Sequence, residues 1–481
     1  MINYKSYIFE RQKIQKIVAF LVATVTVTTC VGCSSRTDTS IVSVFAQSSS
    51  FAQIVSGENV ASLDNLTISS EGESNMSEQS SDSKSSDIRR TFSTTNSSRS
   101  NSVVSKNNAS IESNNMAESN PYKEYIKYNL DTYMTPVWKN KVVYNESVMF
   151  FPNAETREYD PAPLLYTPTK VLSVRSSDLK TEYEEGIDYV IENGKIKLTS
   201  NSRIPKWEYD DYYLKTAPEG FACGSVRAPG RYICFASGKK YAQMQLAVTY
   251  EHNAKWKGEI SKYEGNVLKN TISKLKQKKL LQIVYYGDSI MTGCDVTSTY
   301  GIAPSMPIFT QMITAKLKEV YGYDKIIQYN TAVGGKETRW GLEELETRVA
   351  NIGPDLVVIG FGMNDSALSI SVLEYEKNIR KMIENVRKEN SNAEFLLVST
   401  TLPNPDCKGY TKLQPKYQAA LENIVDDFSG VALVPMTDIH TYILTKKRYD
   451  DMAGNGVNHP NDFLARIYGQ AVAQCLIENL D

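Results

Sequence analysis

From Leu281 to the C-terminus, short apolar runs alternate with longer segments of helical period. The apolar runs fall at 281–286, 325–330, 355–361, 394–400 and 431–435. Helix-compatible segments fall at roughly 306–321, 338–351, 371–389, 412–427 and 461–478. Alternation at this spacing predicts an α/β domain over 280–481, with a parallel sheet covered by helices on both faces. Such a sheet gathers its loops at the C-terminal ends of the strands, and chemistry belongs there. No internal repeat is evident.

The first run, Leu281-Gln-Ile-Val-Tyr-Tyr-Gly-Asp-Ser-Ile290, ends in Gly287-Asp288-Ser289. Gly287 has no Cβ and permits a sharp turn, which leaves Ser289 at the strand mouth. Its hydroxyl suits a nucleophile and its backbone N–H an anion-stabilising donor. A lone Gly-Asp-Ser is an ordinary turn, but three further segments arrive in order. Asn330-Thr-Ala-Val-Gly334-Gly335-Lys336 follows the second run, and Gly360-Phe361-Gly362-Met363-Asn364-Asp365 follows the third. Gly454-Asn-Gly-Val-Asn458-His459-Pro460-Asn461-Asp462 lies near the end. Ester hydrolysis needs a nucleophile, a base and donors for a developing oxyanion. Ser289, His459, and the set of Ser289 N–H, Gly335 N–H and Asn364 amide supply all three. The chain has only His252, His440 and His459, and only the last sits in a Gly/Asn/Pro-rich loop late in this domain. A neutral imidazole with a pKa near ~6.5 accepts a serine proton at neutral pH. His252 and His440 read as packing or surface residues. With three histidines and no clustered cysteines, neither a metal site nor a cofactor is expected.

These blocks resemble the SGNH, or GDSL, hydrolases over about residues 280–481. The resemblance implies a flavodoxin-like three-layer α/β/α fold and serine esterase or lipase activity. Carried over, it makes Ser289 the nucleophile, Gly335 and Asn364 oxyanion donors, and His459 the general base and then acid. One departure stands out. The family commonly has Asp three positions before the histidine, and here that position is Gly456. A backbone carbonyl or a displaced carboxylate must then orient His459. Asp451 is the first candidate, with Asp450 and Asp438 as the others.

The N-terminus reads as an export signal. Lys5, Arg11, Lys13 and Lys16 precede an apolar run from Ile17 to Val27, too short to span a bilayer comfortably. Val31-Gly32-Cys33 resembles a bacterial lipoprotein cleavage box, imperfect because Cys30 stands where Leu is usual. Residues 1–33 are therefore expected to direct export, with lipid anchoring at Cys33 or plain secretion as the outcome. Residues 34–120 are dominated by Ser, Asn and Thr, cannot bury enough apolar surface to offset ordering entropy, and read as a linker. Residues 121–262 carry short alternating runs at 142–151, 171–174, 188–198 and 241–250, which predict an antiparallel, jelly-roll-like β-sandwich. Asn193-Gly194 between two such runs signals a hairpin. Trp207, Tyr209, Tyr212 and Tyr213 suit either a sugar-stacking surface or core packing. Beyond the signal region five cysteines remain, an odd number that argues against a disulfide framework. Cys223 and Cys234 flank a turn and are the pair considered for a bridge.

Charge is nearly balanced, 53 basic against 55 acidic residues, and the basic residues form no nucleic-acid stripe. Gly-Gly-Lys336 lacks phosphate-loop spacing, and Gly287-Asp-Ser289-Ile-Met291 lacks the final Gly of the α/β-hydrolase elbow. A β-domain followed by this α/β domain resembles the two-domain carbohydrate esterases of bacteria. The expected substrate is thus an acetylated polysaccharide, with a lipid esterase or lysophospholipase and a non-catalytic glycan-binding surface protein as alternatives. The oligomeric state is left open.

Overall fold

The computed structural model describes residues 127–480, apart from 220, 222 and 410–412. The export segment, Cys33 and the serine-rich linker lie outside the described residues. Those residues belong to one compact unit, Ser110–Asp481.

Its centre is a five-stranded parallel sheet, built from Leu281–Gly287, Ile326–Asn330, Leu356–Gly360, Glu394–Val398 and Val431–Val434. Counted along the chain, the strands lie in the order second, first, third, fourth, fifth. The order reverses beside the first strand, which opens a crevice at that strand's C-terminal end. Alternation along the strands divides the interior in two. Ile283, Tyr285, Val358 and Val398 point into one core, and Val284, Tyr286, Val357 and Leu397 into the other. Helices Phe309–Tyr321 and Asp462–Leu476 cover the first face, and Val372–Glu389 and Gln414–Asp427 the second. The fold is the three-layer α/β/α arrangement that the strand-helix alternation predicts. The segment expected as one helix over 338–351 is instead broken into Thr338–Glu343, Leu345–Arg348 and a 3₁₀ turn at Ala350–Ile352.

The antiparallel region comprises a four-stranded sheet, a three-stranded sheet and a two-stranded ribbon. Asn193 and Gly194 both have positive φ and close the hairpin of Tyr189–Glu192 with Lys195–Leu198, as their sequence signals. The strand expected from Tyr241 starts later, at Gln245, because Lys239–Gln243 is a short helix that buries Tyr241 against Trp207. The four-stranded sheet has no separate core. Val148, Val174, Leu246 and Val248 join the same cluster as the two helices on the first face of the parallel sheet. Every side chain from Phe463 to Leu476 is consequently buried. A buried ion pair, Lys447 to Glu146 at 2.5 Å, crosses the same boundary.

Candidate active site

The first parallel strand delivers Ser289. Gly287 is required for a reason other than a turn: a Cβ there would lie 2.1 Å from the carbonyl oxygen of Gly360 on the adjacent strand. Asp288 caps the short helix Ser289–Thr292, its carboxylate accepting from Ile290 N–H at 2.9 Å. Burial pushes the Asp288 carboxyl up to about 7. Ser289 begins the helix, and its Oγ lies 2.8 Å from His459 Nε2.

His459 sits in a loop held by side chains. Asn455 Oδ1 accepts from the N–H groups of Val457, Asn458 and His459 at 3.0, 3.0 and 3.1 Å. Much of the remaining support comes from outside the α/β layers. Gln245 of the antiparallel sheet donates to the Ala453 carbonyl at 2.7 Å. Asn461, which caps the last helix, donates to Ser147 Oγ at 2.8 Å and to Gln245 Oε1 at 3.0 Å. Asn404 donates to the Gly456 carbonyl at 2.7 Å.

The other imidazole nitrogen, Nδ1, lies 2.5 Å from Asp295 Oδ2. Asp451 does not orient His459: its carboxylate binds the Met149 N–H and the Arg448 guanidinium, fixing the antiparallel sheet to its neighbouring loop. Asp450 is taken by Arg227 and Tyr212, and Asp438 by Gln418. Asp295 also accepts from Ser237 at 3.2 Å. Sequence reasoning passed over Asp295 because it searched near the histidine, whereas the carboxylate lies six residues after the serine. It is the only acidic residue besides Asp288 between Gly287 and Tyr300. Gly456, where the family has Asp, has φ +82, and a Cβ there would come within 2.4 Å of the Cys234 carbonyl oxygen. No side chain fits at that place.

The remaining two blocks meet beside the serine. A Cβ on Gly334 would lie 3.6 Å from Ser289 Cβ, so this loop passes directly over Ser289. Gly335 has φ +75 and open space in front of it. Asn364 Nδ2 donates to the Lys336 carbonyl at 3.0 Å, which leaves its second hydrogen free of that bond. Asp365 fixes the loop from behind, accepting from Thr338 N–H at 3.0 Å and from its hydroxyl at 2.5 Å. Burial raises the Asp365 carboxyl to about 6.

Residues 285–467 match the model of the GDSL-like lipase/acylhydrolase family. This stretch is a GDSL-like acylhydrolase domain. It is a carboxylic ester hydrolase of the serine type. No curated protein matches the chain. Among solved structures, an acetylxylan esterase from Geobacillus stearothermophilus is similar at 18% identity, over 41% of this chain and 94% of that one, with a TM-score of 0.35. An α/β hydrolase from the metagenome of Lake Arreo, Spain, is similar at 17% identity, over 41% and 96%, with a TM-score of 0.34.

Around the acylhydrolase centre, other residues take structural roles. Cys223 is disulfide-bonded to Cys407, not to Cys234, which is a buried free thiol. The bond joins the connection between the two ribbon strands, Tyr213–Leu214 and Tyr232–Ile233, to the loop after the fourth parallel strand. Asp406 in that loop accepts from Ser225 Oγ at 2.9 Å and from Arg227 N–H at 2.6 Å. Trp207, Tyr212 and Tyr213 are buried in a core cluster and offer no stacking surface. His440 is fully buried, accepts from Leu402 N–H at 3.0 Å, and is pushed down to about 3 by desolvation. His252 is buried with its ring stacked on Tyr166 at 3.8 Å. Cys294 touches Thr292 Oγ1, and burial raises its thiol away from the reactive form. Among the described residues no group of three or more His, Cys, Asp or Glu is placed to hold a metal.

Proposed function

We infer that this acylhydrolase removes O-acetyl groups from a polysaccharide, with Ser289 as nucleophile and His459 as general base, oriented by Asp295. The observation that carries the reading is the unbroken chain from Ser289 Oγ through His459, at 2.8 Å on one side of the ring and 2.5 Å on the other. As Ser289 Oγ attacks the ester carbonyl, its proton moves to Nε2. Asp295 stabilises the imidazolium and holds the tautomer that leaves Nε2 free to accept. The carbonyl oxygen gains negative charge, and the N–H groups of Ser289 and Gly335 with the Asn364 amide receive it. His459 returns the proton to the departing sugar hydroxyl as the C–O bond breaks. A water then loses its proton to His459 and attacks the acyl-enzyme, and His459 returns that proton to Ser289 Oγ as its bond to the acyl carbon breaks and acetate leaves.

The sugar rests on the resemblance to two-domain carbohydrate esterases. Export, with lipid anchoring at Cys33 or secretion, completes the proposal by placing the enzyme where such polymers are found. Labelling with a fluorophosphonate followed by mass mapping tests the centre, and modification of Ser289 is expected. Acetate release from acetylated xylan tests the substrate, with Ser289→Ala as the comparison. Equal release by both proteins discards the assignment. Faster cleavage of long-chain than of acetyl esters turns the substrate to a lipid, and tight glycan binding without labelling makes the protein a binder.

A further inference from the structure

A groove of about 710 Å³ lies between the Pro163–Thr167 segment, the Asn193-Gly194 hairpin turn, residues 253–257 and the end of helix Met436–Leu444. It shares no lining residue with the contacts of Ser289, His459 or Asp295 described above. Four lysines line it, Lys195, Lys255, Lys257 and Lys446, and no Asp or Glu does. All four are exposed, and among the described residues none of them forms an ion pair. The whole chain carries a formal charge of −2, so this concentration of cations is local and not a by-product of a basic protein.

The walls are fixed. Lys257 N–H donates to Tyr442 Oη at 3.2 Å. Gly258 follows at a point where a Cβ would come within 2.4 Å of the Tyr442 ring, so the strand of chain bearing Lys255 and Lys257 lies tight against the helix. Tyr442 packs edge-on against Trp256 at 4.5 Å, and the Lys446 ammonium lies 5.7 Å from the same ring. Lys446 follows the helix C-terminus, with its N–H on the Ile443 carbonyl at 2.8 Å. Four unneutralised cations along one concavity repel one another and focus a positive potential, which an anionic ligand relieves.

We propose that this groove binds an acidic polysaccharide, a chain bearing carboxylates at intervals, at a site separate from the ester-hydrolysing centre. Lysine heads on flexible stems suit charges of variable spacing better than planar bidentate recognition. Amides of Asn193 and Asn253 and hydroxyls of Thr167 and Thr445 line the same walls and suit sugar hydroxyls. The groove offers no open aromatic platform for nucleic-acid bases, since Tyr166 is buried and stacked on His252 and Tyr442 is covered by Trp256 and Lys446. The proposal does not depend on which ester the enzyme cleaves.

Affinity electrophoresis of the whole protein in gels containing polygalacturonate tests it. The wild type is expected to be retarded, and the retardation to fade at high salt. The triple variant Lys255→Gln, Lys257→Gln, Lys446→Gln is expected to bind about tenfold more weakly or worse, because each neutralised lysine removes one released counterion. A control triple variant, Lys325→Gln, Lys377→Gln, Lys381→Gln, removes the same charge elsewhere and is expected to bind as the wild type does. Unchanged thermal midpoints in both variants separate lost binding from lost folding. If the groove variant has a lowered midpoint, the single substitution Lys446→Gln is measured in its place. Equal weakening in groove and control variants overturns the proposal, as does no retardation of the wild type. Tighter groove-dependent binding of a single-stranded oligonucleotide than of polygalacturonate overturns the choice of polysaccharide.

Discussion

Replacing Asp295 by Asn keeps the volume and removes the charge from a carboxylate that lies 2.5 Å from His459 Nδ1. The residue is 6% exposed, so water does not substitute for the lost carboxylate. Loss of the orienting carboxylate in a Ser-His-Asp arrangement lowers turnover by about 10⁴-fold, or about 5.5 kcal/mol of transition-state stabilisation. The second bond to Asp295, from Ser237 Oγ at 3.2 Å, remains available to the Asn oxygen. We therefore expect a fall in kcat of about 10³- to 10⁴-fold for Asp295→Asn, with KM for a chromogenic acetate ester little changed. Asp451→Asn is the matched comparison. That carboxylate binds Arg448 through two bonds and the Met149 N–H through a third, away from the imidazole. Breaking a buried, paired charge costs about 3–5 kcal/mol, so this variant is expected to melt earlier yet keep kcat within about threefold. Steady-state kinetics and thermal melts on both proteins decide the matter. A larger loss of kcat in the Asp451 variant than in the Asp295 variant, with both fully folded, refutes the reasoning.

Restoring the family spacing with Gly456→Asp is expected to destabilise the protein by about 2–4 kcal/mol and not to rescue Asp295→Ala, because φ is +82 and the Cys234 carbonyl oxygen occupies the space; a melt and a rescue assay check this. Removing the disulfide with Cys223→Ser and Cys407→Ser opens a bond across 184 positions and is expected to cost about 2–5 kcal/mol, read by denaturant unfolding. Asp288 carries a pH dependence of definite sign. Its carboxyl is raised to about 7 in the fold from an ordinary 3.8, so the folded chain holds the proton longer than the unfolded chain does. Its contribution to stability is greatest below about pH 4 and is lost as pH rises to about 7, to the extent of about 4 kcal/mol. Asp288→Asn is expected to flatten the stability profile over that window, and parallel profiles for the two proteins count against it.

The α/β layers were legible because their strands, the edge strand Ile326–Asn330 apart, are largely buried on both faces and their helices are amphipathic, so local pattern and tertiary environment agree. Ser371 before Val372–Glu389 even accepts the Glu374 N–H that a capping residue should. The antiparallel region was less legible, since its strands are short and Tyr241, apolar enough for a strand, sits in a helix that packs on Trp207. Ser289 and the Gly335 and Asn364 blocks were legible as candidates because each follows a strand end, and His459 because it alone of three histidines lies in a Gly/Asn/Pro-rich loop. The carboxylate beside His459 was missed because its position follows from how the chain after Ser289 folds back with φ +67 at Asp295, a conformation no periodicity announces. The partner of Cys223 was missed for a related reason: a contact between residues 223 and 407 depends on the whole topology. Tyr212 and Tyr213, which looked suited to sugars, were claimed by the core, and Tyr209 packs half-buried against it.

Gln245, Ser147 and Ser237 all belong to the antiparallel region, and all bear on the loop of His459 or on Asp295. The two halves are therefore not a catalyst and an appendage that evolution or an engineer is free to separate. Excising residues 280–481 would bare the outer sides of two helices and leave His459 on an unbraced loop. A swap of the β-region for a different β-module would meet the same obstacle. Changes to either part of this architecture have to be made residue by residue, with the shared contacts kept.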